Sequence, residues 1–189
     1  MQNEFDEKAY REKLWKQLVE ANGKVEYTYT AHHKICDRIV SLDKVLRITQ
    51  IILTAISTGG FLATIITNQT ALCWVGGIAA ALSLGLNLYT KDFKLFENAR
   101  KHKEAADALW EAREAYISLL TDMDALRIED IVHKRDKLTE RVSEINKHYP
   151  GTDRRGYKSA KKALINENEQ TFSEGEAEEF LPTSLRKKS

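Results

Sequence analysis

The stretch Ile48–Thr90 reads ITQIILTAISTGGFLATIITNQTALCWVGGIAAALSLGLNLYT and holds no Asp, Glu, Lys or Arg; Arg47 closes one end and Lys91 the other. A helix in a soluble core is typically about 10 to 14 residues long, whereas one bilayer crossing takes about 20 mostly apolar residues. The uncharged stretch is too long for one crossing and long enough for two. Its longest unbroken polar run, Thr67-Asn68-Gln69-Thr70, lies midway. The pattern predicts a helical hairpin, out along Ile48–Thr67 and back along Ala71–Tyr89. A buried hairpin in a soluble protein is the competing reading, but it would need far more protein around it than 189 residues supply.

Whole-chain averages conceal this segregation. Hydrophobic residues make up 42% and the net charge is +1, with a mean hydropathy of −0.46. Such a charge gives no global bias toward nucleic acid or anionic lipid, and no direct nucleic-acid binding is expected. Two cysteines, Cys36 and Cys73, exclude a disulfide framework as the organising device. The first residues, Met1 to Glu7, are polar and acidic, so no cleavable signal peptide is expected there and the apolar stretch itself must target the chain.

The flanks set the orientation. Lys34, Arg38, Lys44 and Arg47 precede the span; Lys91, Lys94, Arg100, Lys101 and Lys103 follow it; the turn carries no charge. Short basic flanks stay in the cytoplasm, so both termini are expected there. Trp74 near the outer end of the second crossing, with Tyr89 and Phe93 at its inner end, fits an aromatic belt at each interface.

Outside the span the chain reads as helix. Leu14, Trp15, Leu18 and Val19 mark a first helix that Asn22-Gly23 is expected to stop. A second helix from Lys24, with Ile35, Ile39, Leu42 and Leu46 on one face, should run without interruption into the first crossing as one rod to Thr67. The second crossing should continue into a cytosolic helix whose stripe is Ala105, Leu109, Ala112, Tyr116, Leu119, Met123 and Leu126. A third cytosolic helix is expected over Ile128 to His148, ended by Tyr149-Pro150-Gly151, then a short basic helix over Tyr157 to Asn166. Ser173 and Glu176 have capping-box spacing ahead of Phe180-Leu181-Pro182, and the chain ends on the basic run Leu185-Arg186-Lys187-Lys188.

The fold expected is all-α: a two-transmembrane hairpin continuing into a cytosolic antiparallel coiled coil or helical bundle. Its parts are residues 1–47 (N-terminal cytosolic helices), 48–90 (hairpin), 91–149 (cytosolic bundle) and 150–189 (polar tail). Tyr10, Trp15, Trp110 and Tyr116 need cover, which either a four-helix bundle or other copies of the chain must supply.

Little here resembles a catalytic constellation, and no cofactor is expected. His32 and Cys36 stand one helical turn apart, a metal-compatible spacing, but two ligands do not make a site and a packing pair explains them better. The crossings are more suggestive. Gln50, Thr54, Ser57, Thr64 and Asn68 fall within about 40° of a common line at about 100° per residue, with Phe61 close to it. On the second crossing Gly76 and Ala80, Gly77 and Ala81, and Ala81 and Gly85 have small-xxx-small spacing. Two uses are open. Small residues and hydroxyls serve close packing between helices, or several hairpins associate and the polar stripe lines a water-filled path narrowed by Phe61.

The arrangement resembles the SLATT domain proteins. The residues that carry the likeness are Tyr27-Thr28-Tyr29-Thr30-Ala31-His32-His33-Lys34, the closely spaced membrane hairpin, and the long helix after it with Ala-rich turns and Trp110. The ending Thr171-Phe172-Ser173, then Glu176 to Glu179 and Phe180-Leu181-Pro182, is similar to the tail of one subgroup. The resemblance implies a non-enzymatic inner-membrane effector of prokaryotic conflict systems that oligomerises on a trigger and perforates the membrane. It also implies a sensor partner, or a nucleotide signal, from a neighbouring nucleotidyltransferase or reverse transcriptase. A non-conducting, membrane-anchored scaffold that recruits a partner through its coiled coil is the alternative.

Overall fold

The computed structural model describes residues 2–182 and 186, with side chains from Glu7 onward. These residues form helices and connections without a strand. The hairpin is present. The first helix, α1 (Gln2–Thr67), ends at the polar turn and α2 (Thr70–Asp92) starts just beyond it. Asn68 makes the reversal with φ of 57°, a left-handed conformation that Asn tolerates better than most residues. The hairpin's outer faces are bare: Ile65, Ile66 and Trp74 are 79%, 82% and 72% exposed. A soluble core hairpin would hide these side chains, whereas in a bilayer lipid covers them.

The continuous rod extends further than the sequence suggests. Asn22-Gly23 does not stop the first helix, and α1 runs through it unbroken. Mid-helix Gly costs about 1 kcal/mol against Ala. Burial on both sides outweighs that: Leu14, Leu18 and Val25, each at most 3% exposed, are packed into one core, and Ala31 and Ile35 further on are buried as well. The grip loosens toward the membrane, where Leu42, expected in the stripe, is exposed.

The return path is jointed where continuity was expected. α2 ends at Asp92 and α3 (Leu95–Thr121) begins after Lys94, which has φ of 42°. The Asn98 amide donates to the Phe93 carbonyl at 3.3 Å, satisfying an acceptor freed by the break. Beyond the joint the expected stripe is buried: Leu109, Ala112, Tyr116, Leu119 and Met123 pack in one core with Leu14, Leu18 and Val25, and Ala105 is fully enclosed as well. Arg11 reaches across from α1 to the carbonyls of Met123 and Leu126 in the connection between α3 and the next helix. Helix α4 (Ile128–His148) spans the expected residues and closes the core with Ile131 and Ile145. The result is a bundle of three rods, the N-terminal part of α1 with α3 and α4. Of the four aromatics that needed cover, Tyr116 alone is buried; Tyr10, Trp15 and Trp110 stay more than two-fifths exposed.

The tail folds back on α1. Asp153 caps α5 (Arg154–Lys161), its carboxylate accepting the Gly156 N–H at 2.6 Å. A π-helical turn, Lys162–Asn166, follows. Gly156 lies so close to α1 that a Cβ there would fall 2.5 Å from Ile35 Cγ1. Tyr157 stacks on Tyr27 with centroids 4.7 Å apart, Arg38 pairs with Asp153, and Lys34 pairs with Glu169 at 2.7 Å. The capping-box spacing is half used. The Ser173 N–H donates to the Glu176 carboxylate at 2.8 Å ahead of the short α6 (Glu176–Glu179), whose N-cap is Gly175. Leu185, Lys187 and Lys188 of the basic ending lie outside the described residues.

Candidate functional site in the membrane hairpin

Two glycines set the approach of α1 and α2. A Cβ on Gly60 would meet the Leu72 carbonyl at 3.0 Å and Gly76 Cα at 3.2 Å. One on Gly76 would meet the Ser57 carbonyl at 3.0 Å and Phe61 N at 3.4 Å. Backbone therefore touches backbone, which only residues lacking a side chain permit. One turn on from Gly76, Ala79 is buried in the same seam.

Hydroxyls complete the contact. Thr54 Oγ1 donates to the Gln50 carbonyl at 2.9 Å and lies 3.1 Å from Ser83 Oγ. A hydroxyl has one proton, so Ser83 is the donor of the second bond. Thr64 returns its proton to the Gly60 carbonyl at 2.8 Å. These bonds keep polar atoms satisfied at a depth where no water competes.

The aligned residues of the first crossing are thus divided, and Asn68 falls beyond the end of α1, in the turn. Ser57 and Phe61 lie over Gly76, and Thr54 bonds across to α2. Thr64 is half-buried and bonded to its own helix. Gln50 is half-buried at the end of the span next to the bundle, where an open cleft continues along Ile51, Thr54 and Thr58. Of the small residues on α2, Gly76 is in the seam; Gly77, Ala80, Ala81 and Gly85 are exposed, with open space where a Cβ on Gly77 or Gly85 would go. Gly60 and Ala79 carry the seam with Gly76. The pair Gly59-Gly60, like Gly76-Gly77, reads in the sequence as a place where helices come close; Ala79 carries no such signal, because a small residue on an apolar helix looks like any other until its partner is placed.

A second polar contact sits in the helical bundle. His32 on α1 and His102 on α3 are 3% and 8% exposed, and their Nδ1 atoms are 2.9 Å apart. One ring donates and the other accepts, which requires that the accepting ring be neutral. Burial, then the neighbouring His102 and His33, holds the His32 pKa down at about 4. Burial lowers that of His102 too, with Asp153 opposing and Arg38 assisting. Burial, with Asp37 nearby, pushes the Cys36 thiol up and makes it a poor nucleophile. His32 was singled out for its spacing to Cys36; its observed partner is His102, seventy residues away, a distance that helical periodicity cannot bridge.

Comparison with curated proteins gives no match, and neither does comparison with solved structures. A family model does match, over residues 14–176, a span that takes in the bundle, the hairpin and the folded-back tail; its description is SMODS and SLOG-associating 2TM effector domain family 4. The two apolar helices, their bare outer faces and this match agree, and the chain belongs to SLATT family 4, the two-transmembrane effector domains associated with SMODS and SLOG proteins.

Proposed function

We propose that this membrane effector of defence-associated systems oligomerises on a trigger and opens a path through the inner membrane, with both of its termini in the cytoplasm. A sensor partner, or a nucleotide made by a neighbouring nucleotidyltransferase or reverse transcriptase, supplies the trigger. One observation carries the reading: a single hairpin closes just one seam. The rest of its surface, including the mouth at Gln50 and the small-residue flank Gly77, Ala81 and Gly85, is left open. Two helices cannot enclose a path, and the open flank accommodates neighbouring hairpins at close range. In the assembly Gln50, Thr54, Ser57 and Thr64 line the path and Phe61 narrows it.

The test is the sign of one substitution. If Phe61 is a constriction, Phe61→Ala raises dye or ion leakage at matched protein level, and Gln50→Leu with Thr54→Leu lowers it. The second reading, a non-conducting scaffold, has its own support in the Thr54–Ser83 bond, which already uses part of the polar stripe within one chain, and in the exposed Trp15 and Trp110 on the bundle. On that reading Phe61→Ala loosens the seam, at about 3 kcal/mol by analogy with soluble cores. Overexpression then causes no leakage, and the two Leu substitutions are neutral.

A further inference from the structure

At the junction of the apolar span and the cytosolic bundle the structure forms a cleft of about 490 Å3. Arg47, the last residue before the span, and Lys91, the first after it, lie on its walls with Lys94 from the left-handed joint. Gln50 and Asn87 add neutral hydrogen-bonding groups one turn deeper. A second cleft, about 570 Å3, begins at the same Arg47 and Gln50 and continues along α1 past Ile51, Ala55 and Thr58. A cationic mouth therefore opens directly onto a groove at membrane depth.

The local charges do not cancel. Asp43 holds Arg47 at 2.6 Å. Glu97 is shared, 3.0 Å from Lys101 and 3.7 Å from Lys94. Among the described residues no carboxylate stands at ion-pair distance from Lys91. Three cations face two carboxylates at the mouth, one of which is already engaged by a cation outside it. Phe93 and Phe96, 55% and 72% exposed beside the joint, place the mouth at interface depth.

We infer that this pair of clefts is a binding site for one anionic phospholipid of the leaflet on the side of the termini. The headgroup phosphate sits among Arg47, Lys91 and Lys94, and an acyl chain lies along Ile51, Ala55 and Thr58. The site follows from the two-transmembrane placement and is independent of whether the assembly conducts. A free phosphate would use the mouth alone; a lipid uses mouth and groove together, and lipid is what surrounds the groove. Cations at the bilayer surface attract anionic lipid, and the groove adds contacts for the chain.

The test is lipid retention. The full chain is reconstituted in nanodiscs of equimolar phosphatidylcholine and phosphatidylglycerol, extracted in mild detergent, and its retained lipid is identified by mass spectrometry. Phosphatidylglycerol should be retained in preference. Combined Arg47→Gln, Lys91→Gln and Lys94→Gln should weaken that retention by about tenfold or more, while Lys16→Gln, Lys24→Gln and Lys158→Gln, remote from the cleft, should leave it unchanged. Ala55→Trp fills the groove without touching a charge and should also lower retention. Equal retention of the two lipids by the unaltered protein, or an unchanged preference in the triple variant, overturns the inference. So does normal retention in Ala55→Trp with displacement by soluble glycerophosphoglycerol, which would mark a free phosphodiester site.

Discussion

Acidification should loosen the bundle through one buried pair. His32 has a folded pKa of about 4 against an ordinary value of 6.5. An imidazole whose folded pKa is depressed takes up its proton more readily once unfolded. Its contribution to stability is full above about pH 6.5 and is lost as the pH falls from there toward 4. Between pH 7 and pH 5 this costs about 2 kcal/mol from His32 alone, and His102, shifted the same way, adds to it. The surroundings do not rescue the charge: His33 and Arg38 oppose it, and Asp153, which favours it at His102, is already paired with Arg38. At about 2 to 4 °C per kcal/mol for a chain of this size, the melting temperature should fall by roughly 4 to 8 °C. Fluorescence of Trp15 and Trp110 during thermal or urea unfolding in detergent reports on the bundle. The double variant His32→Leu, His102→Leu removes both partners, so it leaves no orphaned donor and should flatten the dependence. A slope in the double variant equal to that of the unaltered protein would refute the argument. So would greater stability at pH 5, the signature of a proton shared between the two rings.

Other substitutions test the packing. Gly76→Leu drives a side chain into the Ser57 carbonyl and should abolish disulfide formation between Thr54→Cys and Ser83→Cys in a background lacking native cysteines, whereas Gly77→Leu, which points into open space, should not. Gly156→Ala forces α5 against Ile35 and should raise proteolysis of the tail; adding Ile35→Ala removes the atoms it strikes, so the double variant should lose less than the sum of the single ones. Leu109→Asp buries a charge at a fully enclosed position and should cost several kcal/mol, read as protease sensitivity of the whole bundle. A periplasm-only reporter should be silent when fused after Ser189 and active when placed at Gln69; activity at the C-terminus would show that the basic flanks do not set the orientation.

The hairpin was legible because its signal is compositional: the absence of charge from Ile48 to Thr90 needs no knowledge of partners. The α3 stripe and the span of α4 were legible from periodicity, and Pro150 marks where the latter stops. What failed were local signals overridden by tertiary packing. Asn22-Gly23 reads as a stop, yet Leu18 and Val25 on either side are locked into the same core. Lys94 carries no breaker signal at all, since Lys is a good helix former; the joint shows only in its φ and in Asn98 turning back to the Phe93 carbonyl. The Gly60–Gly76 contact and the His32–His102 pair were beyond reach for a shared reason. Each depends on the register between two helices, and helical periodicity fixes a face but not the partner opposite it.

The difference between the two halves of the hairpin has a mechanical consequence. Helix α1 is a single rod of 66 residues, roughly 100 Å long, with its N-terminal half gripped by the bundle and its far end in the Gly60–Gly76 seam. A displacement of the bundle core at Leu14, Leu18 or Val25 reaches the membrane through unbroken helix. The return limb is different. α2 meets α3 at Phe93 and Lys94, where the hydrogen-bond ladder is interrupted and a non-glycine residue is held in the left-handed region, a conformation that costs about 1 kcal/mol or more relative to ordinary helix. Bending concentrates where the ladder is already broken. The one limb is therefore suited to transmit and the other to yield, so that α2 can change its angle to α1 while α3 stays seated in the core. The joint lies beside the cationic cleft, and Lys94 belongs to both. A lipid phosphate held by Arg47, Lys91 and Lys94 would tie the rod to the jointed limb across the point of bending, and so would favour the closed seam over any arrangement in which α2 has swung away.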